Sequence, residues 1–98
     1  MEIKLKHEDK LIICLSGRLD TNTSVELDNA LKNEEIKEDL VVFDFKDLEY
    51  ISSAGLRVLL ATKKNLDASG KKMEIHNIND VVKEIFNVTG FNNILTIK

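Results

Sequence analysis

Proline and tryptophan are absent from the 98 residues, cysteine occurs once, as Cys14, and histidine twice, as His7 and His76. A lone thiol excludes an internal disulfide and any metal cluster built on thiolates, and it suits a reducing compartment. Two histidines leave few candidates for the positioned base that a serine nucleophile needs, and the Gly-x-Ser-x-Gly elbow is missing. No apolar run approaches the roughly 20 residues that cross a bilayer. Met1 to Lys10 alternates polar and apolar residues where a signal peptide would be continuously apolar. Basic charge is also short: the formal net charge is −3 and no stripe of Lys and Arg stands out. Direct nucleic-acid binding is therefore not expected, since neutralising phosphates takes clustered cations. These absences predict a cytoplasmic protein that is not an enzyme, holds no metal or cofactor, and does not insert into membranes.

What is present is ordinary globular material, 43% hydrophobic and 32% charged. A chain of this length buries about two-thirds of its unfolded surface, enough for one core. With no linker, repeat or low-complexity tract, residues 1–98 are expected to form one domain.

Ile3 and Leu5 alternate with charged residues, as in a half-exposed strand. His7 to Lys10 reads as a turn, with His7 exposed. The apolar run Leu11 to Leu15 predicts a strand covered on both faces, with Cys14 in the core. Gly17 to Asn22 reads as a loop. Asn22 or Thr23 is placed to cap a helix carrying Val25, Leu27, Ala30 and Leu31. Glu34 to Asp39 reads as a solvated charged stretch. Leu40 to Phe45 is a second buried strand, and Lys46 to Ser52 a connection. From Ser53 the spacing of Leu56, Leu59, Leu60 and Leu66 is helical, and Gly70 marks the end. Met73 and Ile75 alternate in a strand that His76 ends. Ile78, Val81, Val82, Ile85 and Phe86 recur at helical spacing, Gly90 stops that helix, and Ile94 to Ile97 is a last strand. The order ββαβαβαβ predicts an α/β fold with a mixed sheet: an antiparallel first hairpin at the edge, then parallel strands joined by right-handed crossovers.

Chemistry concentrates in DLEYISSAGLRVLL, Asp47 to Leu60. A serine at a helix N-terminus accepts from free backbone N–H groups, and the same end attracts an anion. Ala54 and Gly55 would leave that backbone open to a large group. A phosphate on Ser53 would be tolerated there, with Arg57 in reach. The plain alternative is that Ser52 or Ser53 only caps the helix. A second constellation is Asp20, Asp44 and Asp47, which parallel strands would bring to one sheet edge. Paired carboxylates can hold Mg²⁺, but capping and loop solvation account for these, and no metal site is expected.

GRLDTNTS (Gly17 to Ser24), VVFDFKDLEYISSAGLRVLL (Val41 to Leu60) and VVKEIFNVTGFNNILTI (Val81 to Ile97) together resemble the STAS family, specifically the anti-sigma-factor antagonists. The resemblance runs over nearly the whole chain, and the middle segment is its most specific part. It implies a binding module whose unphosphorylated form engages an anti-sigma factor that is also a serine kinase, releasing the sigma factor. It implies phosphorylation at Ser53, which blocks binding, and a separate phosphatase that reverses it. Many relatives carry aspartate just before that serine; here Ser52 stands there, which makes Ser52 the alternative acceptor. The implied partner surface is Asp20, Thr21, Asn22, Ser52, Ser53, Ala54, Gly55 and Arg57. The alternative is a STAS-fold sensor of a nucleotide or lipid, or a component of a signalling assembly with no sigma-factor partner.

Overall fold

A computed structural model describes residues 1–98. Its elements run β1 (Glu2–His7), β2 (Leu11–Leu19), α1 (Thr21–Lys32), β3 (Leu40–Ile51), α2 (Ser53–Ala68), β4 (Lys72–His76), α3 (Asp80–Thr89), a 3₁₀ turn over Phe91–Asn93, and β5 (Thr96–Ile97). The five strands lie side by side in chain order. β1 pairs antiparallel with β2 at the edge, and each later neighbour is parallel. The predicted element order and mixed sheet are thus present. No helix is long and apolar enough to cross a membrane.

Strand order equal to chain order has a consequence. Three successive right-handed crossovers that all step in one direction put all three helices on one face. Burial agrees. Leu27 of α1, Leu56, Leu59 and Leu66 of α2, and Val82 and Phe86 of α3 share one cluster with Leu11, Ile13, Leu15, Val41, Phe43 and Phe45 of the sheet. Each large side chain buried in this way contributes about 1.5–3 kcal/mol. Phe43 and Phe45 meet edge to face, with centroids 6.1 Å apart.

The other sheet face has no helix over it, which corrects one expectation. Leu11 to Leu15 is covered on one side only: Ile12 and Cys14 are half-buried, and Cys14 borders a shallow recess with Lys4, Ser16 and Asp47. Cys14 is therefore not a core residue. His7 is exposed as expected, but it is engaged. Its Nδ1 lies 2.7 Å from Glu38 Oε2 and its Nε2 3.3 Å from Glu34 Oε1. Glu38 is thus not freely solvated, as only 9% of its side chain is exposed and its Oε1 is buried without a hydrogen-bond partner.

Two connections are shorter than expected. β2 runs on to Leu19, leaving only Asp20 before α1, and β3 runs on to Ile51, leaving only Ser52 before α2. Of the expected loop Gly17–Asn22, the first half is strand and Thr21 and Asn22 already belong to α1, and of Lys46–Ser52 all but Ser52 is strand. β3 stays in the sheet by bulging twice. Between Cys14 and Ser16 β2 advances two residues while β3 advances three, from Asp44 to Asp47. Between Gly17 and Arg18 it advances one while β3 advances two, from Leu48 to Tyr50. Each bulge inserts one residue and re-aims those after it. Phe45, Leu48 and Ile51, three apart, consequently all reach the core. Gly17, at φ +91, takes the left-handed backbone on the β2 side of this irregularity.

Candidate functional site

Because β2 and β3 are parallel and end in register, Leu19 opposite Ile51, α1 and α2 start side by side. The Ser52 N–H donates to the Leu19 carbonyl at 2.8 Å, tying the two starts together. Two sets of first-turn N–H groups, which lack partners within their own helices, and two positive dipole ends therefore share one edge of the sheet.

Asp20 caps α1, in place of the expected Asn22 or Thr23. Its Oδ1 accepts from the Asn22 and Thr23 N–H groups, both at 3.0 Å. Thr23 Oγ1 in turn accepts from the Asp20 N–H at 2.8 Å, which completes a capping box. The N–H bond from Thr23 above all, opposed by partial desolvation, holds the Asp20 carboxyl below its ordinary range. Buried Ser24 is satisfied by donating to the Asp20 carbonyl.

Ser52 caps α2, accepting from the Gly55 N–H at 3.4 Å. Ser53 is the first helical residue, exposed, and its hydroxyl takes no part in the cap. Gly55 does not open the backbone to an approaching group, as the sequence suggested, but faces inward. A Cβ built there would lie 2.8 Å from both Ile51 Cγ1 and Leu19 Cγ. Its missing side chain is what lets α2 seat against the ends of β2 and β3. Thr21, Asn22, Ser53 and Arg57 are exposed, while Asp20, Ser52 and Ala54 are half-buried. Thr21, Ala54 and Arg57 line one groove between the first turns of α1 and α2, with Val25 and Val58 on its apolar side.

The three aspartates do not converge. Asp44 pairs with Cys14, five residues before Leu19, so it sits mid-sheet on the open face. There it accepts from Asn77 Nδ2 at 3.1 Å and from the Lys46 N–H. The cause is the continued run of β3, which moves Asp44 away from the edge where Asp20 lies. No three His, Cys, Asp or Glu side chains are grouped to hold a metal ion.

Sequence reasoning missed the stack of Arg18 on Tyr50, with the guanidinium carbon 4.5 Å from the ring centroid. It lies one position before the last residues of β2 and β3, Leu19 and Ile51. The only signal was a pair of stackable residues at corresponding strand ends.

A mixed five-stranded sheet with three helices on one face, and two capped helix starts at one edge, defines a class of small α/β domain. The chain belongs to the STAS domain family, whose model matches residues 2–98. It is 28% identical to the anti-sigma-B factor antagonist of Listeria monocytogenes, over 100% of this chain and 87% of the relative. It is 36% identical to BtrV of Bordetella bronchiseptica, a candidate anti-sigma factor antagonist, over 88% of this chain and 75% of the relative. Among solved structures, a candidate anti-sigma factor antagonist from Thermotoga maritima superposes with a TM-score of 0.88 at 19% identity, covering 97% of this chain and 84% of that one. Unphosphorylated SpoIIAA, an anti-sigma factor antagonist, gives a TM-score of 0.82 at 17% identity, covering 99% and 88%. At those identities the superpositions establish the fold.

Proposed function

We propose that this protein is a cytoplasmic anti-sigma factor antagonist, a binding module and not a catalyst, switched by phosphorylation of Ser53. The unmodified form binds an anti-sigma factor that is also a serine kinase and so releases the sigma factor. Phosphorylation blocks that binding, and a phosphatase restores it. The observation that carries the reading is the division of labour between the two serines. Ser52 is half-buried and turns its hydroxyl oxygen to the cap, accepting from the Gly55 N–H, whereas Ser53 presents its hydroxyl on the exposed first turn. SpoIIAA, whose fold this chain shares, has been solved in a phosphorylated form.

The switch follows from charge. A phosphate adds about −1.5 to −2 at pH 7. At a helix N-terminus that charge is favoured by about 0.3–1 kcal/mol, and Arg57, four residues on, is placed to pair with it. The fold is therefore not driven apart. The partner must contact this edge to phosphorylate it, and a like charge placed across an interface costs several kcal/mol. At about 1.4 kcal/mol per factor of ten, affinity falls roughly 10²–10³-fold.

The test is a pull-down with unmodified protein, then incubation with the captured kinase and ATP. One added phosphate that disappears in Ser53→Ala and persists in Ser52→Ala is expected. Phosphate retained in Ser53→Ala would move the switch to Ser52 or elsewhere.

A further inference from the structure

We propose that Arg18, held on the Tyr50 ring, is a specificity anchor of the partner surface that receives a carboxylate of the anti-sigma factor. The inference rests on the proposed function and adds a contact outside the helix starts themselves.

Arginine occurs only twice in the chain, as Arg18 and Arg57, and both stand beside the paired helix starts; the other cationic residues of the 14 are lysines. Arginine and lysine are not equivalent. The guanidinium offers a planar fork that grips a carboxylate with two parallel bonds. Ion pairs engage His7, His76 and four of the lysines, but neither arginine. Arg18 is exposed and Tyr50 half-buried. A guanidinium stacked on an aromatic face keeps its N–H edges directed outward while losing side-chain freedom.

The second bulge of β3 makes this arrangement possible. In an unbroken register Gly17 opposite Leu48 would put Arg18 opposite Glu49, a carboxylate able to neutralise it. The inserted residue places Tyr50 there instead. The strand thus gives Arg18 a stacking platform where regular pairing would give it a counter-ion. Register fixes both residues on rigid elements, next to Asp20 and Ser52. Arg and Tyr are the residue types that dominate interface energetics when so placed. Arg18 acts on the Asp20 carboxylate only at a distance and forms no ion pair with it, so the group that completes the guanidinium is an anion on the partner.

The experiment titrates the anti-sigma factor captured by the wild-type chain against wild type, Arg18→Glu, Arg18→Lys and Tyr50→Phe, with and without nucleotide, alongside melting curves. Arg18→Glu should weaken binding about 30-fold or more, the level of an interface hot spot. Arg18→Lys should give a smaller loss, and Tyr50→Phe, which keeps the ring, should stay within about threefold of wild type. Melting temperatures should stay within about 2 °C throughout. Binding by Arg18→Glu within about threefold of wild type overturns the proposal, as does a loss that only tracks a melting drop. A loss seen only with nucleotide present would assign Arg18 to a nucleotide phosphate and overturn the carboxylate contact. Wild-type protein that captures no anti-sigma factor would sink the proposed function and this inference with it, whereas wild-type binding that ignores Arg18 would sink this inference alone.

Discussion

Gly55→Ala should destabilise the protein, although it replaces the only glycine inside a helix with the best helix former. Alanine gains about 0.5–1 kcal/mol in an unconstrained helix. Here the new methyl would meet Ile51 Cγ1 and Leu19 Cγ at 2.8 Å and Leu19 Cδ2 at 2.9 Å. Both neighbours are buried, Leu19 at 0% and Ile51 at 1% exposure, so neither can swing aside without disturbing the core. Overpacking of this kind costs about 1–3 kcal/mol. The net loss should be about 1–2 kcal/mol, which lowers the melting temperature by roughly 4–16 °C in a domain of this size. Thermal and urea unfolding measure it. Leu19→Ala removes two of the three clashing atoms, so the double variant should lose less than the two single losses added together. A Gly55→Ala protein as stable as wild type, or strict additivity with Leu19→Ala, would refute the packing argument and return Gly55 to a role in exposing backbone.

Two further outcomes follow from titrating groups. His7 is held above its ordinary value of 6.5, first by its hydrogen bond to Glu38 and then by Glu34. Burial, the largest single influence, works to raise the Glu38 carboxyl, but the bond from His7, backbone N–H groups and the His7 charge together outweigh it and the carboxyl titrates low. The raised histidine is stabilising below the unfolded value and loses that contribution as pH climbs through the folded one. The melting temperature of wild type should therefore decline above pH 6.5, and His7→Gln should flatten that decline; identical pH profiles would mean that the bridge contributes nothing. For Asp20, alanine should lower the melting temperature by roughly 4–8 °C through loss of the cap. Asparagine, an equally good cap, should stay close to wild type at neutral pH. Because the Asp20 carboxyl titrates below its ordinary 3.8, wild type should lose stability relative to Asp20→Asn as pH falls through that range. An alanine variant that melts like wild type would remove Asp20 from the fold's supports.

The helix starts were legible because their signals are local: Ser, small residues and then an apolar 3.6-residue period all fall within Ser52 to Leu66. The identity of the first cap was not. Asp20, Asn22 and Thr23 are all competent caps, and the choice among them was made by burial of Leu19 at 0% exposure, a tertiary fact. The extent of β3 was hidden for a related reason. Phe45, Leu48 and Ile51 recur every third residue, a spacing that fits neither a strand of period two nor a helix, so the segment reads as connection. Only the bulges reconcile that spacing with a sheet, and they are visible only against the register of β2. Glu38 was unreadable because its partner, His7, lies 31 residues away.

Cys14 is a different case, since its half-exposure could have been deduced. A chain of βα units whose strands add in sequence order, always right-handed, leaves one sheet face without helices. On that face Ile12, Cys14 and Asp44 stay half-buried, whereas Val42, on the central strand, is closed over at 3% exposure. The same topology explains why the switch sits where it does. With every helix on one side and every parallel strand pointing one way, the starts of α1 and α2 must emerge together at the carboxyl edge of β2 and β3. The bulges that β3 needs to keep Leu48 and Ile51 in the core deliver Tyr50 to that same edge opposite Arg18. Core packing and the presentation of the binding edge are thus set by one run of twelve residues, Leu40–Ile51. A change that straightens β3 would disturb both at once.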